Sequence, residues 1–407
     1  MIGHLVRLAW NRKRQNLLVV IELFLSFAVL FAITYTAAVH YYNWRQPIGF
    51  RTDRLWTVQL GYPYSGPERA DATEEYKAGR ARAAEVIEQV IAAAESFPEV
   101  ERAGTLWPTV FYSRGGWGAE IASKSHRSLT DGHILSDEMR DVIGLEVSAG
   151  RWFSREDDGA AAVPVILNAR LARELFGDAS PLGKELPTTR DITKPLRVIG
   201  VVDDFRHQGE LAFPDNAAIF RLSSLPFSRP VLPSALTLFV RPGTGAEFEE
   251  RLVRALRAAA PEWTFDARSI EARREEAFRK TLAPIAVVAI VAIFLLLMVA
   301  LGLTGVVWQN VTTRVQEFGL RRAKGATARD IRVQIFMELG VLATVAVAIG
   351  AALALQFPPL TLLGPPSIKF ISVAVAVGVI YLLTLLCAWY PSRLAIRIQP
   401  ADALHYE

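Results

Sequence analysis

Four stretches of this chain are too long and too apolar for the helices of an ordinary soluble domain, and they constrain the fold more than any other feature. They cover residues 17–39, 282–307, 334–357 and 370–390. Crossing a bilayer takes about 20 apolar residues of helix. A helix buried in a soluble core is usually shorter and carries one polar face. All four are therefore read as transmembrane helices. The first follows Arg12, Lys13 and Arg14, as a signal peptide would. Its apolar run exceeds the roughly 7–15 residues of a signal core. Tyr41, Tyr42 and Trp44 come next, as in an interfacial aromatic belt. It is read as a retained helix.

With 51% hydrophobic and 21% charged residues, the chain is too apolar for a soluble enzyme and too charged to be all membrane. Disorder, collagen repeats and a disulfide scaffold are excluded, and the single cysteine, Cys387, has no internal partner. The formal charge of +4 matters less than its distribution. Residues 1–16, 308–333 and 391–407 together hold twelve basic and four acidic residues. Residues 41–280 hold 32 basic and 35 acidic ones. Lys and Arg accumulate in cytoplasmic loops. Both termini and the 308–333 loop are therefore expected in the cytoplasm, with 40–281 and the 358–369 turn outside. This charge pattern reports topology and gives no reason to expect nucleic-acid binding.

The outer block is long enough to bury its own core. Residues 55–60 alternate like a strand, and Val86, Val90 and Ala94 beside Ile87 and Ile91 give a helical face. Phe97-Pro98 ends that helix, and 100–106 can form a second strand. Near the far end, 235–240 reads as a strand, Phe248, Leu252, Leu256 and Ala259 as a helix face, and 263–265 as the start of another strand. Two strand–helix–strand units, about 51–106 and 233–270, thus bracket a β-rich insertion over about 107–232. In that insertion Asn168 is placed to cap a short helix ending at Phe176-Gly177, and Pro181–Lys184 to make a turn. The expected fold is an α+β membrane protein: four spans plus an external α+β module of two halves with an inserted subdomain.

Motifs of catalysis are missing from the sequence. It has no phosphate-binding G-x-x-x-x-G-K-[ST], no H-E-x-x-H and no G-x-S-x-G. His126 and His133 with Asp131 lack a diagnostic metal spacing and read as surface polar residues. Asp157-Asp158-Gly159 is an incomplete calcium loop and reads as a solvated turn. Asp203, Asp204 and His207 follow a buried strand, but nothing supplies a nucleophile. No catalytic residue, cofactor or metal is expected.

Two carboxylates, Glu22 and Glu338, fall within about two turns of the cytoplasmic ends of spans, where ionised groups are costly. A packing or coupling role is expected of both rather than a proton relay; the alternative is that both reach the interface and pair with a local arginine such as Arg332 or Arg14. Ala346, Gly350 and Ala354 recur at four-residue spacing, which favours close helix packing. The 308–333 loop is the densest segment. Glu317, Phe318, Gly319, Leu320, Arg321, Arg322, Gly325 and Ala326 mix apolar with charged residues. Thr327 and Asp330 form a capping pair for the helix that follows. The loop is read as a short rigid element offering Phe318 and Leu320 as apolar contacts and its arginines as polar ones.

The stretch EFGLRRAKGATARDIRVQIFMEL resembles the signature of the FtsX/MacB-like permease family of ABC transporters. The tail PSRLAIRIQPADALHYE is similar to the family's ending, and VILNARLARELFGDASPLGK with LRVIGVVDDF to its periplasmic core. This resemblance implies a dimer of permeases, either two copies or a pair with a similar second chain. It implies a separate ABC ATPase on the cytoplasmic side, so that this chain is not itself an enzyme, and docking of residues 317–327 on that ATPase. Lys324 departs from the family pattern, which usually has an apolar residue there. Unlike relatives with a fused nucleotide-binding domain, this chain is expected to begin with only a short basic segment. The implied work is efflux of a compound or peptide from the periplasm of a bacterial inner membrane, with an adaptor and outer-membrane channel as further partners. Lipoprotein movement, or FtsX-like signalling to an outer partner, is the alternative.

Overall fold

The computed structural model describes residues 13–62, 74–108, 110–113, 116–123, 127–187, 192, 194–224, 231–356 and 365–397. The chain divides into two compact units, one of long helices and one formed by Asn43–Thr281.

The helical unit is built from α1 (Lys13–Trp44), α6 (Ile270–Thr312), α8 (Ala328–Gln356) and α9 (Pro366–Arg397), with a short α7 (Val315–Ala323) between α6 and α8. Each long helix holds a segment long and apolar enough to cross a membrane. Ile290, Phe294, Leu297 and Leu301 of α6 are more than half exposed, an apolar surface suited to lipid. Along α8, Ala343, Ala346, Gly350 and Ala354 are buried. A Cβ on Gly350 would stand 2.3 Å from the Phe27 ring of α1, so that glycine makes the seat for Phe27. α9 starts on Pro366, a residue suited to the first helical position because its missing N–H has no partner there. Lys369 then donates to the Leu355 carbonyl at 2.8 Å, satisfying an orphan acceptor in the last turn of α8.

In the second unit β1 (Leu55–Gly61), α2 (Glu74–Glu95) and β2 (Val100–Trp107) come first. The last elements are β10 (Ala235–Val240), α5 (Ala246–Ala259) and β11 (Thr264–Ser269). Their four strands interleave, in the order β11-β1-β10-β2, all antiparallel. α2 buries Ala83, Ile87, Val90 and Ala94, and α5 buries Phe248, Leu252 and Leu256, in one shared core. Those positions recur every three to four residues, as a helical apolar face requires.

Between these segments lie β3 (Trp117–Ala122), β4 (Arg127–Leu135), α3 (Met139–Ile143), β5 (Val147–Gly150), β6 (Val163–Asn168), α4 (Ala169–Phe176), β7 (Glu185–Leu186), β8 (Leu196–Val202) and β9 (Ala217–Arg221). They extend the same sheet in the order β4-β9-β6-β8-β5, with β3 on β4 and β7 on β8. Among the described residues, β2 and β4 pair at Leu106 with Leu135 and Trp107 with Ile134. The pairs β4–β9 and β6–β8 are parallel. Asn168 does cap α4, accepting from the Leu171 amide at 3.0 Å. It also accepts from Ala217 and donates to the Asp215 carbonyl, fixing the entry to β9.

In the turn at Asp157-Asp158-Gly159, Asp158 and Gly159 are exposed as a solvated turn would have them, but Asp157 is buried. It takes two bonds from Arg151, at 2.8 and 2.6 Å, and one from the Ser154 amide. Asp158 pairs with the buried Arg221, which also holds Asp137 in a two-bond fork. Burial pushes the Asp157 carboxyl up. The Arg151 and Ser154 hydrogen bonds and the charges of Arg151 and Arg221 outweigh it, and hold the group below its ordinary value. Such a carboxyl adds stability above its unfolded pKa, about 3.9, and loses it as pH falls through the lower folded value. Thermal unfolding of the purified chain should therefore weaken at acid pH through this group. Asp157→Asn should lower stability at neutral pH by about 1–3 kcal/mol and flatten that acid dependence. An unchanged acid limb in the variant would assign the dependence to other carboxyls.

Candidate functional site

Two sets of residues stand out, one in each unit. In the helical unit α7 is tied to α8 by a closed ring of five side chains. Arg314 donates to both oxygens of Glu338, at 3.1 and 2.9 Å, and pairs with Glu317 at 3.3 Å. Glu317 accepts from Arg321 at 2.7 Å, Arg321 donates to Gln334 at 2.5 Å, and Gln334 donates back to Glu338 at 3.0 Å. The sequence places these groups one helical turn apart, Glu317 with Arg321 on α7 and Gln334 with Glu338 on α8. Gly325, at φ +96°, follows α7. Thr327 and Asp330 then cap α8 reciprocally: the Thr327 amide donates to Asp330 Oδ2 at 2.9 Å and the Asp330 amide to Thr327 Oγ1 at 3.3 Å.

This geometry sorts the residues singled out in the loop. Phe318 is 2% exposed and Gly319 is buried beside it, so the apolar pair is divided. Leu320, 53% exposed, faces outward. Arg321 is engaged inside the ring, while Arg322 and Ala326 are half-buried and Lys324 and Gly325 exposed. Glu338 pairs with a nearby arginine, Arg314. Glu22 is half-buried in α1, and a Cβ on Gly302 of α6 would stand 2.8 Å from its Oε1. Glu22 thus occupies the space left by that glycine, a packing position between two helices.

In the sheet unit the run Asp203–Ala212 after β8 carries a group that sequence reasoning passed over. Arg206 is 3% exposed, and its guanidinium meets five backbone carbonyls. Nη1 donates to Asn43, Gln46 and Pro47, at 3.0, 3.2 and 3.4 Å. Nη2 donates to Glu210 and Ala212, at 2.8 and 2.5 Å. The Arg206 amide also donates to the Ile48 carbonyl. This grips the chain where α1 ends. Glu210 takes Arg274, in the third residue pair of α6, at 2.6 Å, and Tyr112 at 3.1 Å. Burial, then the charge and hydrogen bond of Glu210, push the Tyr112 hydroxyl up, so it stays a protonated donor. One loop therefore holds both the end of α1 and the first turns of α6.

Two glycines make the fit possible. Gly49 has φ +85°, and a Cβ there would lie 1.8 Å from the Asp204 carbonyl oxygen. Gly209 has φ +92°, and a Cβ would lie 2.4 Å from the Tyr112 ring. No L side chain suits either place. The only sequence signal for this clamp is an arginine embedded in an otherwise buried Phe-Arg-His run.

Beside the clamp, Asp131, His133 and His207 come together, each offering one ligand atom, all within 4.8 Å of one another. His133 is 1% exposed, which corrects its reading as a surface residue; His126 lies outside the described residues. Burial, then the charge of His207, push His133 well below the ordinary histidine value, so it is neutral. Burial, then the charge of Asp215, push Asp131 up.

Together, four membrane-length helices, a mixed sheet module between the first and second of them and a capped helix pair between the second and third define a multi-pass membrane protein. Residues 25–259 match the MacB-like periplasmic core domain, and residues 289–400 match the FtsX-like permease C-terminal family. The chain belongs to the MacB/FtsX-like permease family.

Relatives include the pyoverdine export ATP-binding/permease protein PvdT of Pseudomonas aeruginosa, 27% identical over 65% of this chain and 40% of that protein. The macrolide export ATP-binding/permease protein MacB of Bdellovibrio bacteriovorus is 28% identical over 63% of this chain and 41% of that protein. The chain spans less than half the length of these curated relatives. Among solved structures, the periplasmic region of MacB from Actinobacillus actinomycetemcomitans is 14% identical, covers 56% of this chain and 94% of that one, and has a TM-score of 0.38.

Proposed function

We propose that this chain is the membrane subunit of an ABC transporter and passes the motion of an ATPase to its sheet module. Residues 40–281 then form the outer domain and residues 308–333 the cytoplasmic coupling loop, with both termini in the cytoplasm. ATP is hydrolysed by a partner pair of ATPase subunits, and the permease works as a dimer with a second copy or a similar chain. Efflux of a compound or peptide from the periplasm is the preferred outcome, since the relatives named above are export proteins. An adaptor and an outer-membrane channel would complete such a machine.

The observation that carries this reading is α7: a nine-residue helix locked to α8 by the five-membered ring, with Leu320 and Lys324 turned outward. A surface element that is rigid at its base and apolar at its tip can push or be pushed. Two helices suit onward transmission. α6 runs from Ile270 to Thr312, and α1 from Lys13 to Trp44, each entering the segment gripped by the Arg206–Glu210 loop.

Leu320→Asp combined with Lys324→Glu leaves the ring untouched. It should weaken ATPase association by about 10–100-fold, as loss of an interface anchor does. The check is ATP hydrolysis by the co-purified ATPase, titrated with wild-type and variant permease in detergent. Equal stimulation by both would remove α7 as the docking element.

A further inference from the structure

Asp131 and His133 lie two residues apart on β4, so both side chains leave the same face of the sheet. β4 runs parallel to β9, and the loop after β8 crosses this face before entering β9. That crossing sets the His207 ring 4.7 Å from the His133 ring, at 62°. The two histidines are 74 positions apart in sequence and both buried. Asp131, His207 and Asp215 border one cavity of about 10 Å³, room for a single water-sized particle.

We propose that Asp131, His133 and His207 bind one divalent transition-metal ion of the zinc type. The donor set decides the class of ion. Two imidazole nitrogens and one carboxylate oxygen are ligands for zinc, cobalt, nickel or copper, whereas calcium and magnesium take oxygen donors almost alone. The distances agree with a site open by a small rotation. Donors around tetrahedral zinc stand about 3.3 Å apart when each bond is about 2.0–2.1 Å, and here all three lie within 4.8 Å. Charge agrees as well, because two carboxylates, Asp131 and Asp215, face the same small cavity, where a dication offsets their repulsion. Asp215, which borders the cavity outside the three-residue cluster, can orient a water on the ion. Arg206 also borders the cavity, but its guanidinium is turned onto five backbone carbonyls. An ion here would bond β4 to the loop that grips α1 and α6. The site stands independently of the transport reading, and either can fail without the other.

The test uses the full chain in detergent, carrying a tag without histidine, stripped with a chelator and then desalted. Zinc, cobalt or calcium chloride is added, and retained metal per chain is measured by elemental analysis after gel filtration. One zinc or cobalt ion per chain is expected, with no retained calcium, a visible cobalt spectrum of nitrogen–oxygen coordination and a higher unfolding midpoint with zinc. His207→Gln and Asp131→Asn should each weaken zinc binding at least about ten-fold. Unfolding without metal shows whether each variant is folded. Asp131 is only half-buried, so Asp131→Asn carries the test if His207→Gln does not fold. Wild-type protein that retains no zinc above the calcium control, or a folded variant that binds zinc as wild type does, would overturn the assignment.

Discussion

Arg206→Ala is expected to cost about 3–5 kcal/mol of stability, the range for breaking a buried hydrogen-bond network around a charge. The guanidinium is 3% exposed and serves two groups of carbonyls on opposite sides, Asn43, Gln46 and Pro47 on one and Glu210 and Ala212 on the other. Alanine leaves these acceptors without their donor in a space that water enters poorly, and each buried group left unmade costs about 1–3 kcal/mol before relaxation. Lysine is no substitute. Its ammonium is a single point with three donors, whereas the planar fork reaches both carbonyl groups at once. At about 2–4 °C per kcal/mol for a domain of this size, the alanine variant should unfold about 6–20 °C below wild type. Arg206→Lys should fall closer to alanine than to wild type. A midpoint within about 2 °C of wild type would mean that solvent reaches these carbonyls and that the loop does not hold the end of α1.

The consequence for transmission follows from connectivity. Asn43–Pro47 continue directly from α1, and Arg274 lies in the first turns of α6. Losing the Arg206 side chain releases the Asn43, Gln46 and Pro47 carbonyls, and losing Glu210 releases Arg274 from the loop. Glu210→Gln should thus be milder than Arg206→Ala, since the amide oxygen still accepts from one donor.

How much of this was legible in sequence depends on the range of the interaction. The four spans were plain because a run of apolar residues is a local property. The strands and helices at the two ends of the sheet unit were also plain, from periods of two and of three to four. Thr327 with Asp330 and Asn168 with Leu171 are pairs three residues apart, and local spacing foretold both. What failed was pairing at a distance. His133 was weighed against its neighbour His126, yet the residue it meets is His207, brought by a loop crossing that no periodicity announces. Asp157 looked like a solvated turn residue because its Arg151 partner, six residues away, falls outside any helical or strand spacing, and the Arg221 charge near it arrives only with β9. The interleaving of β11-β1-β10-β2 is likewise sheet register, which depends on segments more than a hundred residues apart, and the joint of Leu106 with Leu135 and Trp107 with Ile134 spans nearly thirty. In the coupling segment composition identified the residues but not their directions. A nine-residue helix has too few turns to show which of Phe318 and Leu320 faces in.

Direction is what the second large effect tests. Glu338→Ala should destabilise the helical unit by about 2–3 kcal/mol. It leaves Arg314, with only 10% of its side chain exposed, without its two-bond partner. Arg314→Ala should cost a similar amount for the opposite reason. Removing both should cost less than the two singles combined, because no uncompensated charge is left behind, with a coupling of about 1–3 kcal/mol. Thermal unfolding of the four proteins closes that cycle, and additive costs would mean that the ring is a set of independent surface contacts. The kinetic readout separates holding from docking. Leu320 and Lys324 remain on the outer face of α7 in Glu338→Ala, so half-maximal stimulation should need no more permease than in wild type. Maximal stimulation should fall, because α7 yields instead of driving α8. The Leu320→Asp, Lys324→Glu protein should show the reverse, a weaker half-point with maximal stimulation recovered at saturation. If Glu338→Ala shifts only the half-point, the ring shapes the docking surface and transmits nothing.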